Sequence, residues 1–123
     1  MVSEYTLLEL ETSRRAGQKW LFGPFQPQDS DRYTQAVEIG YVSLQEVDSR
    51  DRLHFHAKVE EYYLVLSGHL TIKVNEKVLR VPEGHILLVR PPNVHLILEI
   101  QSGTKILLIK APAVLGDKTV VSE

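Results

Sequence analysis

Three histidines and one glutamate, His54, His56, Glu61 and His95, are the residues of this chain whose types and spacing could do chemistry together. His54 and His56 are one residue apart in a strand-like run. Alternate residues of a strand share a face, so both imidazoles can reach one point. Glu61 opens the next strand-like run after a short connection, and His95 follows directly on the turn Pro91-Pro92-Asn93. Three imidazoles and a carboxylate can hold one divalent first-row metal per chain and leave coordination positions for water or substrate. Mn, Fe, Co, Ni or Zn would suit such a donor set. Calcium and magnesium would not, because they prefer all-oxygen shells.

Positioning these residues requires strands. Strand-like runs occupy 33–45, 52–57, 61–67, 69–74, 77–81, 85–90, 94–100 and 104–110, with Gly, Pro or Asn at most of the breaks. Many short strands separated by turn signals indicate an all-β sandwich or barrel, closed or nearly closed. Thr6 to Leu10 reads as a short first strand. Gly17 to Asp31 reads as a loop anchored by Trp20, Leu21, Phe22 and Phe25. Past Gly68 the apolar phase changes to Leu70, Ile72 and Val74, so a bulge or sharp bend is expected there, leaving His69 outside. The reading is one domain over 1–123, with its barrel core at 33–110 and an N-terminal strand and loop at 1–32.

Composition narrows the chemistry. The chain has 123 residues, five His, no Cys and a net charge of −2 from 14 basic and 16 acidic residues. Without cysteine there is no disulfide, thiolate zinc site, iron–sulfur cluster or thiol nucleophile. No segment is basic enough for nucleic-acid binding as a main function. The mixed run Asp48-Ser49-Arg50-Asp51-Arg52 reads as a solvated loop or strand start. No apolar stretch approaches the roughly 20 residues that cross a bilayer, and Met1 to Tyr5 lacks signal-peptide character. The expectation is a cytoplasmic protein that binds neither nucleic acid nor membrane.

The segment from His54 to Gly68 resembles the first motif of the cupins, His-x-His-x(3 or 4)-Glu-x6-Gly. Glu61 fits both the four-residue gap after His56 and the six-residue gap before Gly68, which prefers it over Glu60. Gly84 and His95 keep the Gly-to-His interval of the second motif, and residues 69–83 form a short linker between the two. Departures stand at Asp48, where the motif has Gly, at Arg90 and Pro92, where it has Pro and Gly, at His85 and at Glu99. With the prolines displaced by one, Asn93 is expected to take the left-handed conformation otherwise supplied by Gly. The resemblance implies a cupin-type double-stranded β-helix, a jelly-roll-like barrel. It also implies a metal on His54, His56, Glu61 and His95, and a homodimer.

Four further residues have expected roles. Glu99 replaces the closing Asn of the second motif and is in phase with His95. It is therefore a candidate acid or base, or else a salt bridge at the barrel mouth. Tyr63 is in phase with Glu61 and is a pocket candidate, against a plain core role; Tyr41 is similar, with a less certain phase. Arg52 is in phase with His54 and could anchor an anionic substrate group, against an exposed Arg at a strand entrance. His69 and His85 read as surface residues. Three functions follow: a metal-dependent enzyme of isomerase or dioxygenase type on a small polar substrate such as a sugar or oxo-acid, a non-catalytic binding or sensing module, or a structural protein with an empty barrel.

Overall fold

A computed structural model describes residues 4–15, 19–43 and 51–122. The element order is α1 (Leu10–Arg15), β1 (Trp20–Phe22), β2 (Glu38–Ser43), β3 (His54–His56), β4 (Glu60–Ser67), β5 (His69–Val74), β6 (Lys77–Pro82), β7 (Ile86–Val89), β8 (His95–Ile100), β9 (Lys105–Ala111) and β10 (Lys118–Val120). Two five-stranded antiparallel sheets result, ordered β1-β2-β9-β4-β7 and β10-β3-β8-β5-β6. The facing sets β2-β9-β4-β7 and β3-β8-β5-β6 have the interleaved order of a jelly roll. This is the all-β, jelly-roll-like architecture expected; among the described residues no strand pairs from one sheet to the other, so the two sheets face each other without a closing ladder.

Inward residues follow the two-residue period. On β4 they are Glu61, Tyr63 and Val65; on β5, Leu70 and Ile72; on β9, Ile106 and Leu108. Val65, Leu70 and Ile72 are fully buried, and each such side chain stabilises the fold by about 2 kcal/mol. The apolar cluster fills one end of the sandwich. At the other end the same inward rows finish in polar residues, Glu61 on β4 and His95 on β8. That gradient along the strands leaves one end of the interior for chemistry.

Gly68 carries the chain from one sheet to the other between β4 and β5, at φ +80°. The expected bend is there, and the pairing of β4 with β9 shifts register between Val65 and Ser67. A Cβ at position 68 would lie 2.3 Å from Thr104 Oγ1 and 2.9 Å from its Cα. Thr104 is itself fully buried and bonded to both His69 N and His69 O. Gly68→Ala therefore combines an unfavourable backbone conformation with a backbone clash. Denaturant unfolding should show a loss of about 2–4 kcal/mol.

Several local expectations are corrected. Thr6–Leu10 is not a strand: residues 5–9 are irregular, and Leu10 begins α1. The segment 20–22, read as loop, is a strand paired with β2. Gly40 makes this possible, since a Cβ there would stand 2.7 Å from the Trp20 ring. Asn93 does not take the left-handed conformation; the non-glycine residue that does, among those described, is Asn75 in the β5–β6 turn, at φ 53°. Tyr41 faces out of the sandwich toward α1, where its hydroxyl donates to Glu11 Oε1 at 2.5 Å. Burial, with Glu11 adding to it, pushes the phenol up to about 12. Residues 44–50, with the Asp48-Ser49-Arg50 part of the charged run, lie outside the described residues. Among the described residues no helix is long and apolar enough to cross a membrane.

Candidate functional site

His54, His56, Glu61 and His95 meet at the polar end of the interior, with side-chain donor atoms all within 4.8 Å of one another. Strand pairing brings the histidines together. β3 supplies His54 and His56 on one face, and the β3–β8 ladder sets His54 directly opposite His95. Glu61 arrives from β4 of the facing sheet. All four are buried, none more than 5% exposed. Glu60, the adjacent carboxylate, points away, 3.9 Å from Arg90.

The outer nitrogens show how the rings are held. His54 Nδ1 lies against Arg52 O at 2.5 Å, His56 Nδ1 against Asp117 O at 3.1 Å, and His95 Nδ1 against Asn93 O at 3.0 Å. A carbonyl only accepts, so each Nδ1 carries the proton and each Nε2 presents a lone pair. His56 Nε2 and His95 Nε2 then face the same oxygen, Glu61 Oε1, at 3.1 and 3.2 Å. Acceptors opposed at this distance in a buried site repel unless a cation stands among them. A proton on one ring would satisfy one pair; a metal ion satisfies all the donors at once. Two ligands each about 2.1 Å from one ion lie about 3.0–3.4 Å apart for bond angles of about 90–109°, as these do. Ring Nδ1 donation to backbone carbonyls is also the usual way metal-ligating imidazoles are oriented. The residues fit a divalent transition metal.

Charge on the donors agrees. Burial pushes the Glu61 carboxyl up; hydrogen bonds donated by His56 and His95, with the field of Lys110, would outweigh it and hold the group well below the usual carboxylate range, and with both protons on Nδ1 it is a bound cation that would supply this stabilisation instead. His54 is lowered from 6.5, chiefly by burial, which keeps it neutral. Tyr63 is raised well above 10 by burial and by the charge and hydrogen bond of Glu61. Its hydroxyl therefore stays protonated against the carboxylate.

A cavity of about 300 Å³ adjoins the cluster, bordered by His54, Glu61, Tyr63, Asp51, Ile97 and Trp20, among others. Tyr63 stands where its phase predicts, 6.4 Å from the His95 ring. Arg52 is exposed, and its contact with the site is through its main chain, whose carbonyl holds His54. Glu99 corrects the expectation of an inward carboxylate: it is exposed. The β5–β8 ladder matches Thr71 with Glu99 and Ile72 with Ile97, which leaves Leu98 unmatched. That bulge reverses the phase after Ile97 and turns Glu99 out. His85 is exposed, as expected, while His69 is half-buried beside Arg80.

Three positioning residues escape sequence reasoning. Asp117 accepts from the backbone N–H groups of Ala57, Lys58 and Val59, at 3.2, 2.9 and 3.0 Å, and so shapes the turn from His56 to Glu61. Burial would raise its carboxyl, but these donors outweigh it and hold it below 3.8. Asp51 accepts from Ile97 N at 2.7 Å, tying the approach to β3 to β8. Asn75 side-chain and main-chain groups both bond Val94, just before His95. The partners of Asp117 and Asp51 lie about 60 and 46 residues away, and no local pattern announces them.

No family model matches the chain, and no curated relative does. Solved structures do. Streptomyces PAC13 with uridine superposes with a TM-score of 0.59 at 19% identity, over 72% of this chain and 71% of that one. The same protein is described as a unique nucleoside dehydratase. KdgF from Halomonas sp. superposes with a TM-score of 0.55 at 12% identity, over 67% and 74% of the two chains. A DMSP lyase structure gives 0.58 at 23%, over 84% of this chain and 51% of its own.

Proposed function

Since the chain is a small cupin-fold protein, we propose that it is a metal-dependent enzyme, of isomerase or dioxygenase type, acting on a small polar molecule in the cavity beside His54 and Glu61. The carrying observation is that this cavity is bordered by two of the four candidate ligands, so a bound molecule would sit against the cluster itself. A divalent ion held by His54, His56, Glu61 and His95 would supply Lewis acidity or oxygen binding at that wall. The chain does the rest. The backbone carbonyls at 52, 93 and 117 fix the three rings. Tyr63 holds the Glu61 carboxylate, and Trp20, Ile97 and Leu108 give the cavity wall its apolar part. Neighbours of this fold that act on a nucleoside or bind uridine make a small polar substrate a reasonable class.

A screen of sugars, oxo-acids and catechols, with and without oxygen, tests the reading. Turnover of one class should vanish on chelation and return with one equivalent of metal. Full metal occupancy with no turnover would support a second reading, a binding or sensing module. One observation favours that alternative: Glu99 is outside the site, and the carboxylates that do border the cavity, Asp51 and Glu61, are already engaged. On the catalytic reading, Glu99→Gln should leave turnover within about twofold.

A further inference from the structure

We infer that the cavity beside the four-residue cluster contains an anion subsite formed by Lys110 and Lys118 against Trp20, and that its ligand is a small organic acid or phosphate ester. This rests on the function proposed above and names the substrate class. Strand register carries the placement. Lys110 on β9 is the direct partner of Glu61 on β4, and Lys118 on β10 is the direct partner of His56 on β3. Directly paired residues share a sheet face. Glu61 and His56 face the interior, so both lysines stand on the inner faces, one from each sheet, Lys110 half-buried and Lys118 exposed. Both border the 300 Å³ cavity and the smaller one of about 160 Å³ beside it. Their fields reach the cluster: Lys110 acts on Glu61 and Lys118 on His54.

The acids nearby leave both ammonium groups without a direct ion pair. Among the described residues neither Lys110 nor Lys118 forms an ion pair, although Glu38 lies opposite Lys110 on β2. Of the other acids bordering the two cavities, Asp51 and Asp117 accept backbone N–H groups and Glu61 faces the histidines. Lys110 Nζ instead stands 4.8 Å from the centre of the Trp20 ring, a cation–π contact that fixes where the ammonium sits. Trp20 takes that position because Gly40 leaves room for its ring. Lys19 adds a third ammonium to the cavity and also lies over Trp20, at 5.4 Å. Cations in a low-dielectric cleft concentrate and orient anions. A cavity of this size is at the small end of ligand sites, so the anion belongs to a molecule of sugar-acid dimensions.

Calorimetric titration of protein loaded with one equivalent of zinc tests this with two matched pairs, galacturonate against galactose and glucose 6-phosphate against glucose. At least one charged member should bind about tenfold tighter than its neutral twin, and which one does separates carboxylate from phosphate. Lys110→Met should remove that preference, Lys110→Arg should keep it, and Lys118→Gln should reduce it about threefold or more. Metal content, by elemental analysis, should be the same in all three variants. Binding of neither charged probe, equal binding of the twins, or an undiminished preference in both Lys110→Met and Lys118→Gln overturns the subsite. Metal-free wild-type protein separates the two proposals: a charged preference there, with metal never reaching stoichiometry, sustains the subsite and removes the metal enzyme.

Discussion

Replacing His54 and His56 together by alanine is expected to lower bound metal from about one ion per chain to below about 0.1. Two of four donors are lost, and the two that remain, Glu61 and His95, come from different sheets and form no chelate of their own. The measurement is elemental analysis of protein purified without a metal-affinity step, because a column would load the site. An unchanged metal content would sink the metal centre. Acidification should do reversibly what the double variant does permanently. A protonated imidazole cannot bind, and burial lowers the His54 ring, so metal content should hold at neutral pH and fall on acidification. His54, held below 6.5 by burial, and Glu61, held well below the carboxylate range, do not compete for protons at neutral pH.

Asp117→Ala should weaken metal binding about 10- to 100-fold although Asp117 is not a ligand. The substitution frees three backbone N–H groups in the turn between His56 and Glu61, and loosens the segment whose carbonyl orients the His56 ring. Competition with a chromophoric chelator gives the dissociation constant; a change under twofold would remove Asp117 from the account. Asp117→Asn, which can still accept at one oxygen, should fall between wild type and alanine. The charge has its own signature. The folded carboxyl titrates below its unfolded value, so its contribution to stability is complete above about pH 4 and is lost as pH falls through the lower folded value. Metal-free Asp117→Asn should lack that part of the acid dependence in denaturant unfolding.

What could be read from the chain, and what could not, divides by the range of the interaction. His54 and His56 share a face because strands alternate, and Glu61 is inward where Glu60 is not for the same reason. Gly68 announced its bend because the apolar phase breaks there. Glu99 failed because alternation predicts orientation only until a bulge intervenes, and the bulge at Leu98 depends on pairing with β5. Asn93 and Asn75 exchanged roles for a similar reason. Both are turn residues, but the cross-bonding of Asn75 to Asn93 and Val94 is a tertiary fact. The stretch 5–10 had too short an alternation to distinguish a strand from an extended lead into α1. Asp117 and Lys118 were invisible as site residues because β10, which brings them to β3, is three exposed residues long.

The open edges of the sandwich give the cluster a mechanical meaning. The two sheets share no ladder among the described residues, and an apolar core packs between them. Three of the candidate ligands belong to one sheet and Glu61 to the other, so an ion bound there would rivet the two leaves together. At a free concentration 100 times its dissociation constant that rivet adds about 2.7 kcal/mol to the folded state. The stability of the fold and the occupancy of the cluster would then rise and fall together.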